Sequence, residues 1–161
     1  MDIFNLAIEM EREGEKFYLD QEANTDNYGI KAVCSLLAKE EAKHAEIIKG
    51  RIEGKEVDLK KSDLEKCIKE IYPENQQFEI EIKAQPDQLD FYRLAMGKEK
   101  ESIDFYKDIL GKTQDEGLKK TLGYLIEQEK GHYNLFDEMS QLLRRADEWV
   151  EAAEFGLRKD Y

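Results

Sequence analysis

The chain contains two histidines, and each closes a Glu-x-x-His phrase: Glu41/His44 in EAKH and Glu129/His132 in EKGH. On an α-helix, residues three apart share a face, so each phrase can offer one carboxylate oxygen and one imidazole nitrogen to the same cation. Their neighbours turn the phrases inward, since Leu37 and Ile48 flank the first at helical spacing and Leu125 and Phe136 flank the second. Two further carboxylates lie on apolar stripes, Glu11 between Ala7 and Tyr18 and Glu99 between Ala95 and Tyr106. A carboxylate buried without a partner is strongly destabilising and is normally neutralised, paired or bound to metal. One Glu-x-x-His in a Glu-rich chain reads as surface pairing. Two copies in register with two inward carboxylates instead match the ligand pattern of dinuclear carboxylate bundles, with Glu from each of two helices and Glu-x-x-His from each of the others. The expected metal ligands are therefore Glu11, Glu41, His44, Glu99, Glu129 and His132. Oxygen and imidazole donors without thiolate suit iron or manganese, with zinc possible although it normally takes fewer ligands.

The elements that must position these residues repeat. Adding 88 to the residue number carries Leu6 to Leu94, Glu11 to Glu99, Phe17 to Phe105, Tyr18 to Tyr106, Thr25 to Thr113 and Gly29 to Gly117. The same shift carries Leu37 to Leu125, Glu41 to Glu129 and His44 to His132, without a gap. A duplicated helical hairpin is implied, with a pseudo-two-fold axis where a symmetric site would sit. Helical periodicity runs from Asp2 to about Glu22, and NTDNYG (24–29) breaks it. A second helix runs to about Gly54, a third begins after Pro86, and a fourth begins near Leu118 after GKTQDEG. The connection at about 55–86 holds both prolines and one expected short helix, started by Ser62 with Glu65 as a capping box. The tail, 144–161, either extends the fourth helix or folds back. The fold class expected is all-α: a four-helix bundle in one domain spanning 1–161, with its core at 2–143 and a long crossover between the second and third helices.

Composition narrows the function. With 161 residues, 39 % of them charged, and a formal net charge of −12, the chain suits neither nucleic acid nor an anionic membrane surface, because the long-range term is repulsive. The N-terminus lacks the basic flank and apolar run of a signal peptide, and no stretch reaches the length of a membrane span, so a cytoplasmic protein is expected. Cys34 and Cys67 stand alone without a CxxC, which signals neither disulfides nor a thiolate metal site.

Other residues receive plainer readings. Tyr18 and Tyr106 either pack in the core or sit beside the ligands, bonding a bridging carboxylate or trapping radicals. Glu13, Glu40, Glu101 and Glu127 are assigned to solvated helix faces, and Trp149 to packing of the tail. QFEIEIK (77–83) alternates as a short strand or extended connector does.

The segments AIEMEREGEKFY (7–18), LAKEEAKHAEI (37–47), AMGKEKESIDFY (95–106) and EQEKGHYNLF (127–136) resemble the rubrerythrin-like branch, erythrin-type, of the ferritin-like di-iron carboxylate superfamily. The resemblance spans about Asp2 to Leu143, and EWVEAAEF (148–155) is similar to tails in that family. It implies a ferritin-like bundle, a non-haem centre of two iron ions, and bridging roles for Glu41 and Glu129. The implied activity is reduction of peroxide or dioxygen. Ferroxidase iron handling and a metal-stabilised structural or interaction bundle are the alternatives. Rubrerythrins proper carry a rubredoxin domain with paired CxxC motifs, absent from this sequence, so the expected electron donor is a separate protein. Their third helix usually adds a carboxylate one turn after the first, where this chain has Ser102, opposite Gly14 in the repeat. The centre should be more symmetric as a result. The long crossover and acidic tail point to a homodimer or other small oligomer rather than a closed shell.

Overall fold

A computed structural model describes residues 2–158, without the side chains of Asn75, 147–151 and 153–158; the packing expected of Trp149 lies outside the described residues. Six α-helices follow in order: α1 (Ile3–Asn24), α2 (Tyr28–Ile52), α3 (Leu64–Ile71), α4 (Asn75–Lys83), α5 (Leu89–Lys112) and α6 (Glu116–Arg158). A 3-10 turn at Pro86–Gln88 precedes α5. Among the described residues there is no strand, and the architecture is an all-α bundle in which α1 pairs with α2 and α5 with α6.

The two hairpins are built by the same local chemistry. The α1–α2 turn places Thr25 Oγ1 as acceptor for the Asn27 N–H at 3.3 Å, and Asn27 Oδ1 then caps α2 by accepting from the Ile30 N–H at 2.8 Å. In the α5–α6 turn Thr113 Oγ1 accepts from the Asp115 N–H at 3.2 Å, and Asp115 Oδ1 accepts from the Leu118 N–H at 3.1 Å. Helix α2 ends two residues before Gly54, whose φ of 70° is the left-handed conformation that glycine supplies past a helix end.

The core is split into two apolar layers with a polar belt between them. One layer holds Tyr18, Leu37, Ala95 and Phe136; the other holds Ala7, Ile48, Tyr106 and Leu125. Each long helix contributes to both layers, so the residues lying between those anchors on α1, α2, α5 and α6 meet at one level.

The crossover departs from expectation in three ways. It contains two helices rather than one, and QFEIEIK lies in α4 instead of a strand or extended connector. Phe78 and Ile82, four apart, are buried while Ile80 between them is 64 % exposed, so burial on one helix face decides against the two-residue alternation. The Ser62–Glu65 capping box does not form: the Ser62 hydroxyl oxygen accepts from the Leu64 N–H at 3.0 Å and its proton goes to Glu40. Leu64, Tyr72, Phe78 and Ile82 press the crossover onto the first apolar layer. The tail does not fold back as far as Arg158; it continues α6.

Candidate metal centre

Glu11 from α1, Glu41 and His44 from α2, Glu99 from α5, and Glu129 and His132 from α6 converge on the polar belt, each at most 3 % exposed. His44 Nδ1 lies 2.8 Å from Glu129 Oε1, 3.4 Å from Glu11 Oε2 and 4.0 Å from Glu41 Oε2. His132 Nδ1 lies 3.0 Å from Glu41 Oε1, 3.4 Å from Glu99 Oε1 and 3.6 Å from Glu129 Oε2. The second set of partners is the first shifted by 88 residues, as a two-fold axis requires. Across that axis the imidazoles face each other with centroids 5.8 Å apart and planes 15° from parallel.

Two overlapping groups result. Glu11, Glu41, His44 and Glu129 bring ligand atoms within 4.8 Å of one another, as do Glu41, Glu99, Glu129 and His132. Glu41 and Glu129 belong to both groups. Tyr18 donates to Glu99 Oε1 and Tyr106 to Glu11 Oε1, so each tyrosine reaches across to the other hairpin. Both are also fully packed in the core, and both bond the unshared carboxylates rather than the shared ones.

Burial and mutual repulsion set the charges. Burial drives the carboxyls of Glu41 and Glu129 well above the usual range, and the neighbouring carboxylates reinforce the shift. Burial opposes ionisation of Glu11 as well, but hydrogen bonding to Glu41 and the charge of His44 outweigh it and hold this carboxyl at about 2. The Glu99 carboxyl is lowered in the same way, with His132 overcoming the burial cost. Burial also lowers the imidazole pKa values, but the surrounding carboxylates prevail and raise both.

The sequence matches the family model described as Rubrerythrin over residues 2–140. The chain belongs to the rubrerythrin family. Comparison with curated proteins and with solved structures gave no match.

This rubrerythrin-family site is compatible with iron by its donor chemistry. Glu11 Oε2 and Glu129 Oε2 are buried with no hydrogen-bond partner, an arrangement that a cation relieves. With all four carboxyls ionised and both imidazoles neutral, as metal ligation requires, the charge of the set equals that of two divalent ions, and the all-oxygen-and-nitrogen set is suited to iron or manganese.

Where rubrerythrins usually place an additional carboxylate, Ser102 donates to the Lys98 carbonyl at 3.2 Å. A cavity of about 40 Å³ lies there at the α1–α5 seam, lined by Met10, Gly14, Tyr18, Glu41, Glu99 and Ser102 among others. Space is tight on the α1 side: a Cβ added to Gly14 would lie 3.2 Å from Glu41 Oε2. A larger cavity of about 490 Å³ separates the crossover from α6, lined by Ser62, Leu64, Ile68, Tyr72 and Leu135, with His132 at its edge.

Glu13, Glu101 and Glu127 are exposed as expected, but Glu40 is not on a solvated face. It is 9 % exposed, accepts from Ser62, and places Oε2 2.5 Å from His132 Nε2. The signal was present in the sequence, because Val33, Leu37, Glu40, His44 and Ile47 recur at alternating spacings of four and three. Ser62 was legible only as a helix cap, since its contact with Glu40 depends on how the crossover docks.

Proposed function

We propose that the protein is a non-haem di-iron oxidoreductase that reduces hydrogen peroxide, or dioxygen, with electrons from a separate donor protein. The observation that carries this reading is the sharing of Glu41 and Glu129 between two four-residue ligand groups. Glu11, Glu41, His44 and Glu129 would hold one ion; Glu41, Glu99, Glu129 and His132 would hold the other. Two iron ions, when bound, supply a pair of one-electron carriers beside each other.

The chain's own residues set the conditions for that chemistry. The apolar layers above and below keep bulk water from the carboxylates, which strengthens every charge interaction in the belt. Tyr18 and Tyr106 fix the unshared carboxylates Glu99 and Glu11, and burial and the adjacent negative charge keep each phenol protonated at Oη. The seam cavity of about 40 Å³, lined by Glu41 and Glu99, matches the size of a molecule of two heavy atoms such as hydrogen peroxide. Reduction of one hydrogen peroxide to two waters takes two electrons and two protons; the electrons come from the donor protein and the protons from solvent.

Anaerobic iron loading followed by metal analysis and X-ray absorption should give two ions per chain with oxygen and nitrogen ligands only. One ion or none refutes the dinuclear reading, and a preference for manganese or zinc refutes iron. The loaded protein should consume peroxide faster than it oxidises ferrous iron with dioxygen, and Glu41→Ala or His132→Ala should abolish both. Rapid ferrous oxidation with peroxide ignored, in a hollow shell holding mineral, would establish ferroxidase iron handling instead. A dimer or other small oligomer is the assembly this proposal expects.

A further inference from the structure

We propose that Glu40 is a positioning residue that makes the two metal positions unequal, so that the His132 side takes up a divalent cation first and more tightly. This rests on the dinuclear reading above and adds an order to it. His132 is held at both ends of its ring. Nδ1 faces Glu41, Glu99 and Glu129, while Nε2 faces Glu40 Oε2 at 2.5 Å. A carboxylate at Nε2 keeps the hydrogen on that nitrogen, leaves the Nδ1 lone pair directed at the ligand group, and fixes the ring plane. Such outer partners typically change metal affinity by about 10–100-fold.

Glu40 is itself anchored. The Ser62 hydroxyl donates to Glu40 Oε1, and the Ser62 oxygen accepts from the Leu64 N–H at 3.0 Å. The chain of bonds from His132 through Glu40 and Ser62 therefore ends on the backbone at the start of α3. The first hairpin supplies this carboxylate to the second hairpin's histidine, but the repeat does not return it. The residue 88 positions after Glu40 is Gln128, a neutral amide that cannot provide the same charge to His44. The crossover that holds Ser62 occurs once in the chain, so the repeat supplies no second copy of that anchor. Two ligand groups of matching composition thus differ in one nearby negative charge and in the rigidity of one imidazole.

Cobalt(II) titration of the full-length metal-free protein, without oxygen, tests the proposal by visible absorption and paramagnetic proton NMR. Two binding steps are expected. Repulsion between cations also separates steps, so the diagnostic is the response to substitution. Glu40→Gln, which gives both halves the same amide, should weaken the first step about 10–100-fold and leave the second within about threefold. In the singly loaded protein, a hyperfine-shifted, slowly exchanging imidazole N–H should be present and should be lost or exchange-broadened in Glu40→Gln. A residue serving only stability would not move that resonance. Ser62→Ala, which leaves Glu40 and every ligand in place, should shift the first step in the same direction by less. His44→Ala should retain the tight step and His132→Ala should lose it. Equal weakening of both steps, an unchanged first step in both Glu40→Gln and Ser62→Ala, or loss of the tight step in His44→Ala overturns the proposal while leaving a dinuclear site intact. Failure of the unmodified protein to bind two ions overturns the dinuclear reading itself.

Discussion

Gly29→Ala should destabilise the protein even though it replaces glycine in a helix. Gly29 is the second residue of α2, and a Cβ placed there would lie 1.4 Å from the Tyr72 hydroxyl oxygen and 2.3 Å from Cζ. Ordinary contact requires the end of the ring to retreat by roughly 2 Å; the cavity beside it leaves room to move, so the cost lies in the packing Tyr72 gives up against Phe78 and the first apolar layer. Tyr72 is 7 % exposed and meets Phe78 edge-on at 5.3 Å, so its displacement loosens the α3–α4 cover on the first apolar layer. Overpacking of this kind costs about 1–3 kcal/mol, against which Gly→Ala returns about 0.5–1 kcal/mol of helix propensity. The net loss expected is up to about 2.5 kcal/mol, or a fall in Tm of up to about 10 °C for a chain of this size. Truncating the obstacle reverses the sign: introduced into Tyr72→Ala, the same Gly29→Ala should stabilise by about 0.5 kcal/mol. Urea unfolding of the four metal-free proteins supplies the complete double-mutant cycle. A stabilising Gly29→Ala in the unmodified protein, or an equal penalty in both backgrounds, would falsify the close approach of Tyr72 to α2.

Tyr18→Phe should weaken the ion on the His132 side and Tyr106→Phe the ion on the His44 side, each by about 10–100-fold against the same step in the unmodified protein, because each removes a donor from an unshared carboxylate; a substitution that leaves both steps unchanged in a chelator competition would refute the role of its hydroxyl. Phe136→Ala should cost about 3–5 kcal/mol in urea unfolding, because the ring is fully buried against Tyr18, Phe91 and Tyr92. Burial pushes the Cys34 thiol from 9.0 up to about 12, so native protein should take iodoacetamide at Cys67 and not at Cys34 near pH 8, by peptide mapping. The same shift fixes the sign of alkaline behaviour. Burial also raises Tyr72 from 10.0 to about 12, so the unfolded chain releases these protons first, and stability should be intact below about pH 9 and fall as pH rises toward 12. A flat urea midpoint across that window contradicts the burial of these groups.

Local periodicity carried much of this structure. The helical stripes placed Ala7, Leu37, Ala95 and Leu125 inside, and the repeat placed the turns, because both are properties of residues close in sequence. Glu40 and the crossover show where that reasoning ends. A stripe reports which face of α2 is covered by some partner, but only the docking of Ser62 determines that a carboxylate beside the main stripe meets an imidazole from α6. QFEIEIK similarly satisfies either period over so short a run, and the choice fell to the Phe78 and Ile82 contacts with residues distant in the chain. Tyr18 and Tyr106 lay on apolar stripes, so their burial followed from spacing; their hydroxyl partners on the opposite hairpin did not.

The crossed tyrosines and the unequal pair at positions 40 and 128 bear on how such a bundle changes over time. Each hairpin completes its partner's half of the belt, which is the relation between two identical subunits around a dyad. In a pair of identical chains every substitution appears twice, so a change useful on one side of the axis is imposed on the other. Joining the hairpins through a crossover removes that coupling, and one half can acquire a carboxylate, a serine or an anchoring loop while the other keeps an amide or a glycine. Gly14 opposite Ser102 and Glu40 opposite Gln128 are differences that a pair of identical chains cannot hold.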